Sequence, residues 1–140
     1  MIEAFSGGRI VELSKDINGN HVVQHCLSMS NNQFVYDAII SDLPNVATHQ
    51  HGCCVVQRSL KYATMQQREA MLVEVVKHSR LLCQDQYANY VVQNALAIGG
   101  PDVVDAMLQQ LSGRFSELAV QKHSSNVVQR VCSDAPRDHI

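Results

Sequence analysis

The tripeptide Val-Val-Gln recurs four times in this chain, and that recurrence constrains the fold more than any other feature of the sequence. The four copies end at Gln24, Gln57, Gln93 and Gln129, which gives intervals of 33, 36 and 36 residues. An apolar residue lies nine positions before the first valine of every copy, namely Leu13, Val46, Leu82 and Leu118. A period of this length is typical of stacked helical units that bury their apolar faces against one another.

Each repeat is predicted to contain three helices. A short first helix carries the leading apolar residue, the second carries Val-Val-Gln, and the third is apolar at helical spacing, as in "REAMLVEVV". Two capping boxes, Ser30 with Gln33 and Thr64 with Gln67, are expected to begin third helices. The pair Gly99-Gly100 followed by Pro101 predicts the end of one helix and the start of the next.

Composition excludes several classes of protein. A formal net charge of −2, with 46% hydrophobic and 17% charged residues, indicates a folded chain without the basic excess of many nucleic-acid binders. Apolar runs are too short for a membrane span. The five cysteines lack metal-binding spacing and predict reduced thiols, with Cys26, Cys83 and Cys132 in the core.

The residues just before each glutamine vary, whereas the valines do not. Residues four apart share one face of a helix, so Asn20 and Gln24 are expected to project side by side, with His21 about 100° round the helix axis. We call these three positions the trio of a repeat. Both valines are predicted to face the core. A constant frame with a variable trio is what a modular reader of a polymer requires.

The motifs "NGNHVVQ", "HGCCVVQ", "DQYANYVVQ" and "KHSSNVVQ" resemble four consecutive repeats of the Pumilio, or PUF, family of RNA-binding proteins. The resemblance implies an all-α, right-handed solenoid of three-helix repeats, here about 9–42, 43–78, 79–111 and an incomplete 112–140. It also implies that each repeat binds one base of single-stranded RNA. No capping units are recognisable, so we expect a piece of a longer array.

In the family, the first and third trio residues bond the edge of a base and the second stacks between bases. The resemblance thus assigns edge contacts to Asn20, Cys53, Asn89 and Ser125, and to Gln24, Gln57, Gln93 and Gln129. It assigns stacking to His21, Cys54, Tyr90 and Asn126. Arg58 and Arg130, four residues after a stacking residue, are predicted auxiliary RNA contacts.

Hydrogen-bonding chemistry predicts the bases. Two amides match the acceptors and the donor of uracil, so Asn20 with Gln24 and Asn89 with Gln93 should read U. One glutamine amide matches adenine, and the small Cys53 admits the purine. In the family, repeats whose trio begins with Ser and Asn usually have Glu as the third residue and read G. Here the third residue is Gln129, whose amide matches the hydrogen-bonding edge of A better than that of G. Since RNA runs antiparallel to the protein in this family, we predict 5′-AUAU-3′, with 5′-GUAU-3′ second.

The resemblance further implies a cytoplasmic regulator of mRNA that acts on untranslated regions and recruits repressor or mRNA-decay proteins through its convex face. Two alternatives remain open. One is a protein-binding scaffold of the HEAT or armadillo type, and the other is a nucleolar Pumilio-like protein that binds structured RNA with little base preference.

Catalytic and metal chemistry have little support in the sequence. The segment "HQHGCC" contains His49, His51, Cys53 and Cys54, but the other repeats have no equivalent of it. No nucleophile is paired with a base. We therefore predict no enzyme activity, no metal, no cofactor and no membrane association.

Overall fold

The computed structural model describes residues 7–134, and these residues form helices, turns and short loops without a strand. The helices are α1 (Gly7–Lys15), α2 (Gly19–Cys26), α3 (Gln33–Ser41), α4 (Leu43–Ala47), α5 (Gln50–Tyr62), α6 (Met65–Lys77), α7 (Ser79–Cys83), α8 (Ala88–Leu111), α9 (Phe115–Ala119) and α10 (Ser124–Asp134). Val-Val-Gln lies on α2, α5, α8 and α10, each preceded by a short helix. Within the described range, no helix has the length and apolar character to cross a membrane.

Helix α8 contains the second and third helices of repeat 3, joined at a kink. Gly100 has a φ of 72°, a left-handed conformation that interrupts the helix, and Pro101 follows it. Glycine adopts this conformation without steric cost, and proline suits the first turn of a helix because it has no N–H to satisfy. The predicted helix boundary at these residues is confirmed.

The chain divides into two compact bodies, Met1–Met71 and Leu72–Ile140. In the N-terminal body α1 packs against α2, α3 and α5, and α4 packs against α5. Tyr36 is fully buried there, and its hydroxyl donates to the carbonyl oxygen of Ser59 at 2.8 Å. In the C-terminal body α8 packs against α7 and α10, and α10 also packs against α9.

A small buried residue immediately precedes every trio, at Gly19, Gly52, Ala88 and Ser124. A Cβ atom on Gly19 would lie 2.7 Å from the carbonyl oxygen of Leu13, and one on Gly52 would overlap the carbonyl of Val46. In repeat 4 the hydroxyl of Ser124 donates to the equivalent carbonyl, that of Leu118, at 2.6 Å. In repeats 1, 2 and 4, the close approach of the second helix to the first therefore fixes where the trio begins.

One of the two predicted capping boxes is present. The Gln67 side chain accepts from the backbone N–H of Thr64, and the Thr64 hydroxyl accepts from the N–H of Gln67. The box at Ser30 is wrong, because Asn32 holds the cap position of α3 and the Gln33 side chain donates to Asp37.

The apolar frame follows the predicted pattern except in repeat 1. Both valines are buried in the later three repeats, and Val23 is fully buried in the first. Val22, however, is 48% exposed, so the prediction that both valines face the core is wrong for this position.

The five cysteines are all free thiols. Cys26 and Cys83 are buried as predicted, and burial raises the pKa of Cys83 to about 11. Cys132 is exposed, so its assignment to the core is wrong. It lies one residue after the buried Val131, and successive helical residues point about 100° apart.

Candidate nucleic-acid interface

The four trios share one order of exposure along their helices. The first residue is buried in three repeats, with Asn20 at 3%, Cys53 at 6% and Asn89 at 1% exposure, and Ser125 is half-buried. All four second residues are exposed, namely His21, Cys54, Tyr90 and Asn126. The third residues are half-buried (Gln24, Gln57 and Gln93) or exposed (Gln129). The second and third residues are thus the accessible part of each trio.

In every repeat the first trio residue donates a hydrogen bond to the backbone carbonyl three residues earlier. Asn20 donates to Ile17 at 2.8 Å, Cys53 to Gln50 at 3.1 Å, Asn89 to Gln86 at 3.0 Å and Ser125 to Lys122 at 3.2 Å. Both asparagines donate a second bond, to Asp16 and Asp85 respectively, each at 2.8 Å. The amino groups of the asparagines are therefore already satisfied inside the protein.

The asparagine oxygen then fixes the neighbouring glutamine. Gln24 Nε2 donates to Asn20 Oδ1 at 2.9 Å, and Gln93 Nε2 donates to Asn89 Oδ1 at 3.1 Å. Each of these glutamines is half-buried and keeps its Oε1 acceptor and its second Nε2 hydrogen outside this bond. In repeats 2 and 4 the first residue is Cys53 or Ser125, which has no amide oxygen to accept such a bond.

Side chains ahead of the trio hold the start of the second helix. Asp16 Oδ2 accepts from the N–H groups of Gly19 and Asn18 at 2.7 and 2.8 Å, and these bonds lower the pKa of Asp16 below its ordinary value. Asp85 Oδ2 accepts from the N–H groups of Tyr87 and Ala88, both at 2.8 Å. Sequence reasoning missed these aspartates, although each lies four residues before its asparagine.

His49 takes the same role in repeat 2. Its Nδ1 accepts from the backbone N–H of His51 at 3.1 Å, which requires an unprotonated Nδ1. Burial lowers the pKa of His49, and the neighbouring His51 and Lys15 lower it further. Among the residues that the structure describes, no three His, Cys, Asp or Glu side chains are grouped so that they could hold a metal ion.

A groove in the C-terminal body brings two trios together. It has a volume of about 460 Å³ and is lined by Tyr90, Gln93, Asn126, Gln129, Arg130 and Ser133. This volume lies in the range of pockets that hold small organic groups. The second and third residues of repeats 3 and 4 thus face one space, beside the predicted auxiliary residue Arg130. Ser133 was not predicted; its position one helical turn after Gln129 is the signal that could have identified it.

Arg58 lies on the exposed side of α5, one turn after Cys54. Its guanidinium carbon is 5.8 Å from the centre of the Tyr62 ring, and Lys61 Nζ is 5.6 Å from the same point. The sequence prediction named Arg58 and missed Lys61 and Tyr62.

The model of the Pumilio-family RNA binding repeat matches residues 9–40, 43–76, 80–112 and 114–140. The chain belongs to the Pumilio family. Among curated relatives it is similar to the putative chloroplastic pumilio homolog 7 of Arabidopsis thaliana, with 43% identity over 90% of this chain. A Pumilio domain-containing protein of Schizosaccharomyces pombe is 42% identical over 91% of the chain. The chain spans only 20% and 19% of these relatives, respectively.

Solved Pumilio structures have the same fold. The RNA-binding domain of yeast Puf5p bound to SMX2 RNA matches 95% of this chain and 40% of that one, with 35% identity and a TM-score of 0.87. The Puf4 RNA-binding domain, bound to a 3′ UTR recognition sequence of HO endonuclease RNA, matches 91% of this chain and 42% of that one, with 36% identity and a TM-score of 0.84. The predicted all-α fold of Pumilio-type repeats is confirmed.

Proposed function

We propose that this chain binds single-stranded RNA and reads one base with each Pumilio repeat, in the order 5′-AUAU-3′ from repeat 4 to repeat 1. One observation carries the proposal: a buried or half-buried first residue, an exposed second residue and an accessible glutamine recur in all four trios. A protein-binding scaffold gives no reason for polar residues to recur in that order. The RNA-bound Puf5p and Puf4 domains support the same function.

The hydrogen bonds of the free protein refine the chemistry of reading uracil. Gln24 can accept from uracil N3–H and donate to one carbonyl oxygen of the base. Asn20 could reach the remaining carbonyl oxygen only by giving up a bond to Asp16 or Ile17. We therefore assign Asn20 and Asn89 two roles, which are to hold the glutamine amide and to fill the space that a purine would need.

In repeats 2 and 4, Gln57 and Gln129 can match adenine with two bonds, one accepted from the amino group and one donated to N1. Cys53 and Ser125 are smaller than asparagine and leave room for the purine. Neither Cys53 nor Ser125 carries an amide oxygen, so Gln57 and Gln129 lack the contact by which asparagine holds the glutamine in repeats 1 and 3.

Tyr90→Ala is expected to weaken binding to every RNA sequence by about tenfold, because stacking of a base on an aromatic ring contributes about 1–3 kcal/mol. Tyr90 is 56% exposed and lines the groove, so its loss removes stacking area without opening the core. The test is titration of AUAU, GUAU and scrambled oligonucleotides with both proteins. A change in the order of preference would show that Tyr90 reads base identity.

Asn89→Ser is expected to change the base read by repeat 3 from uracil to adenine. Serine can donate to the carbonyl of Gln86, as Ser125 does to Lys122, but it offers Gln93 no amide oxygen and leaves more space. Preference should move from AUAU to AAAU by about tenfold, which corresponds to about 1.4 kcal/mol. Asn20→Ser is the matched control and should instead favour AUAA. Unchanged preference in both variants would contradict the roles assigned to the asparagines.

At the level of the cell, we propose a cytoplasmic, post-transcriptional regulator of mRNA that binds untranslated regions and recruits repressor or decay proteins. The support is the family relationship and the 3′ UTR sequence bound by Puf4. Competition among oligonucleotides tests the RNA half of this proposal. Equal binding of all sequences would instead favour a reader of structured RNA, and an absence of RNA binding would favour a protein scaffold.

A further inference from the structure

Helix α5 carries a basic and aromatic cluster beyond its trio. Arg58, Lys61 and Tyr62 are all exposed, and both cationic groups lie within 6 Å of the Tyr62 ring centre, at 5.8 and 5.6 Å. These contacts are in the range of cation–π interactions. We call these three residues the α5 cationic cluster.

Among the residues that the structure describes, neither cation of the cluster has an acidic partner. Within residues 8–133 the ion pairs are His78 with Glu74 and Arg114 with Glu117, and neither includes Arg58 or Lys61. The chain as a whole has a net charge of −2, so two unpaired cations on one ring are a local departure from its charge balance. Such a site attracts an anion.

The cluster lies on the same face of α5 as the trio. Arg58 is one helical turn beyond Cys54, and Lys61 is seven residues beyond it, about 10 Å along the helix axis. The three equivalent positions hold His25, Ser28 and Met29 in repeat 1, Asn94, Ala97 and Ile98 in repeat 3, and Arg130, Ser133 and Asp134 in repeat 4. Only repeat 2 combines two cations with an aromatic ring.

Repeat 2 is also the repeat with the smallest stacking residue. A thiol at Cys54 covers less of a base than the ring of His21 or Tyr90 does. If RNA lies along the trios, this repeat has the least stacking energy to offer it, and its own helix carries the cationic cluster. The two features together indicate that charge replaces stacking here.

We propose that Arg58 and Lys61 form a phosphate-binding subsite for the RNA backbone at repeat 2, with Tyr62 holding both side chains in place. This inference rests on the proposed RNA binding. Long cationic side chains lose rotamer freedom when they bind, and prior contact with one ring reduces that cost. The shared helix face favours the RNA that contacts the trio over an acidic protein as the source of the anion.

The test is the salt dependence of RNA affinity for the double variant Arg58→Gln, Lys61→Gln. Each phosphate contact to a single strand contributes about 0.7 to the slope of log K against log salt concentration, so the slope should become shallower by about 1.4. Lys61→Gln alone should change it by about 0.7. The preference for AUAU over GUAU should not change, because phosphates carry no base identity.

Arg9→Gln with Lys77→Gln is the matched control, because both residues are exposed and lie on helices that carry no trio. It makes the same change in net charge, from −2 to −4. Tyr62→Leu should weaken binding with little change in slope, since both cations remain.

The inference is overturned if the salt slope of the double variant equals that of the control. It is also overturned if the cluster binds an acidic peptide while the salt slope for RNA is the same in the double variant and the wild type. The proposed function itself is tested separately by Gln57→Ala. If the wild type binds RNA but Gln57→Ala binds it equally well, the trio model fails whatever the cluster does.

Discussion

Replacing Gly52 with alanine is expected to lower the free energy of unfolding by about 3 kcal/mol and the melting temperature by about 10 °C. The added methyl group would overlap the backbone carbonyl of Val46, and its next neighbour is the Val46 side chain at 3.1 Å. Backbone atoms on α4 cannot rotate away as a flexible side chain could. Relief therefore requires α5 to move outward by roughly 1 Å, which loosens a close-packed contact.

The matched control is Gly8→Ala. A Cβ atom on Gly8 meets nothing within 4 Å, and alanine favours a helix over glycine by about 1 kcal/mol. This change should therefore leave stability equal or raise it. Thermal and urea unfolding of the two variants measure the difference. Equal stability of both would mean that the contact between α4 and α5 is looser than the structure indicates.

Gly52→Ala also tests how the repeat positions its trio. Gly52 directly precedes Cys53, so an outward movement of α5 displaces the trio of repeat 2. RNA affinity should fall even at temperatures where the Gly52→Ala protein remains folded. The loss should be greatest for the base opposite repeat 2 and small for the base opposite repeat 4.

The phase of Val-Val-Gln was sufficient to predict the helices that carry the trios. The second valine of each copy is buried in all four repeats and marks the core face of its helix, so the positions of His21, Cys54, Tyr90 and Asn126 on that helix follow from the spacing. The small residue before each trio was equally visible in the sequence. Its role was not, because the carbonyl that Gly52 approaches belongs to a different helix.

Loop geometry limited the prediction of helix starts. Ser30 and Gln33 have the spacing of a capping box, but in the structure Gln33 Oε1 accepts from Gln67 Nε2 at 3.0 Å. Gln67 Nε2 also donates to Asn32 at 3.2 Å while its oxygen caps α6. The contact between Gln33 and Gln67 joins residues 34 apart, so a local sequence pattern cannot predict it. In the structure Gln67 forms a capping box with Thr64, whereas Gln33 forms none with Ser30.

The hydrogen-bond partners of the two asparagines could not be predicted from the sequence. From the sequence, the side-chain amides of Asn20 and Asn89 were expected to bond the edge of uracil. Each amino group instead donates to two backbone carbonyls, and each oxygen accepts from the glutamine one turn later. The spacing of four residues predicted that the two side chains would be neighbours, but it could not show that they bond to each other.

Gln129→Glu is expected to change the 5′ base of the preferred RNA from adenine to guanine, by about 1–3 kcal/mol or roughly tenfold to a hundredfold. Guanine presents two adjacent donors, N1–H and N2–H₂, and a carboxylate supplies two acceptors for them. The glutamine amide has one acceptor and one donor, so against guanine its NH₂ group would oppose a donor of the base. Against adenine, the same amide makes two bonds.

The surroundings of Gln129 allow glutamate to replace glutamine without other structural changes. Gln129 is exposed in the groove. The first trio residue of this repeat is Ser125, which donates to the carbonyl of Lys122, so the substitution breaks no hydrogen bond to an asparagine amide. The substitution keeps the size of the side chain and lies outside the core. Folding should therefore be unchanged, and any change in preference can be attributed to the edge of one base.

The experiment is a comparison of AUAU and GUAU with the wild type and with Gln129→Glu, and Gln57→Glu serves as the matched control in repeat 2. The wild type should prefer AUAU, and Gln129→Glu should prefer GUAU while keeping its preference at the other three bases. Gln57→Glu should leave the 5′ base as adenine and instead select guanine at the third base, as in AUGU. If the wild type bound AUAU and GUAU equally, or if Gln129→Glu failed to reverse the preference, Gln129 would not contact the edge of the base, and the one-base assignment of repeat 4 would have to be abandoned.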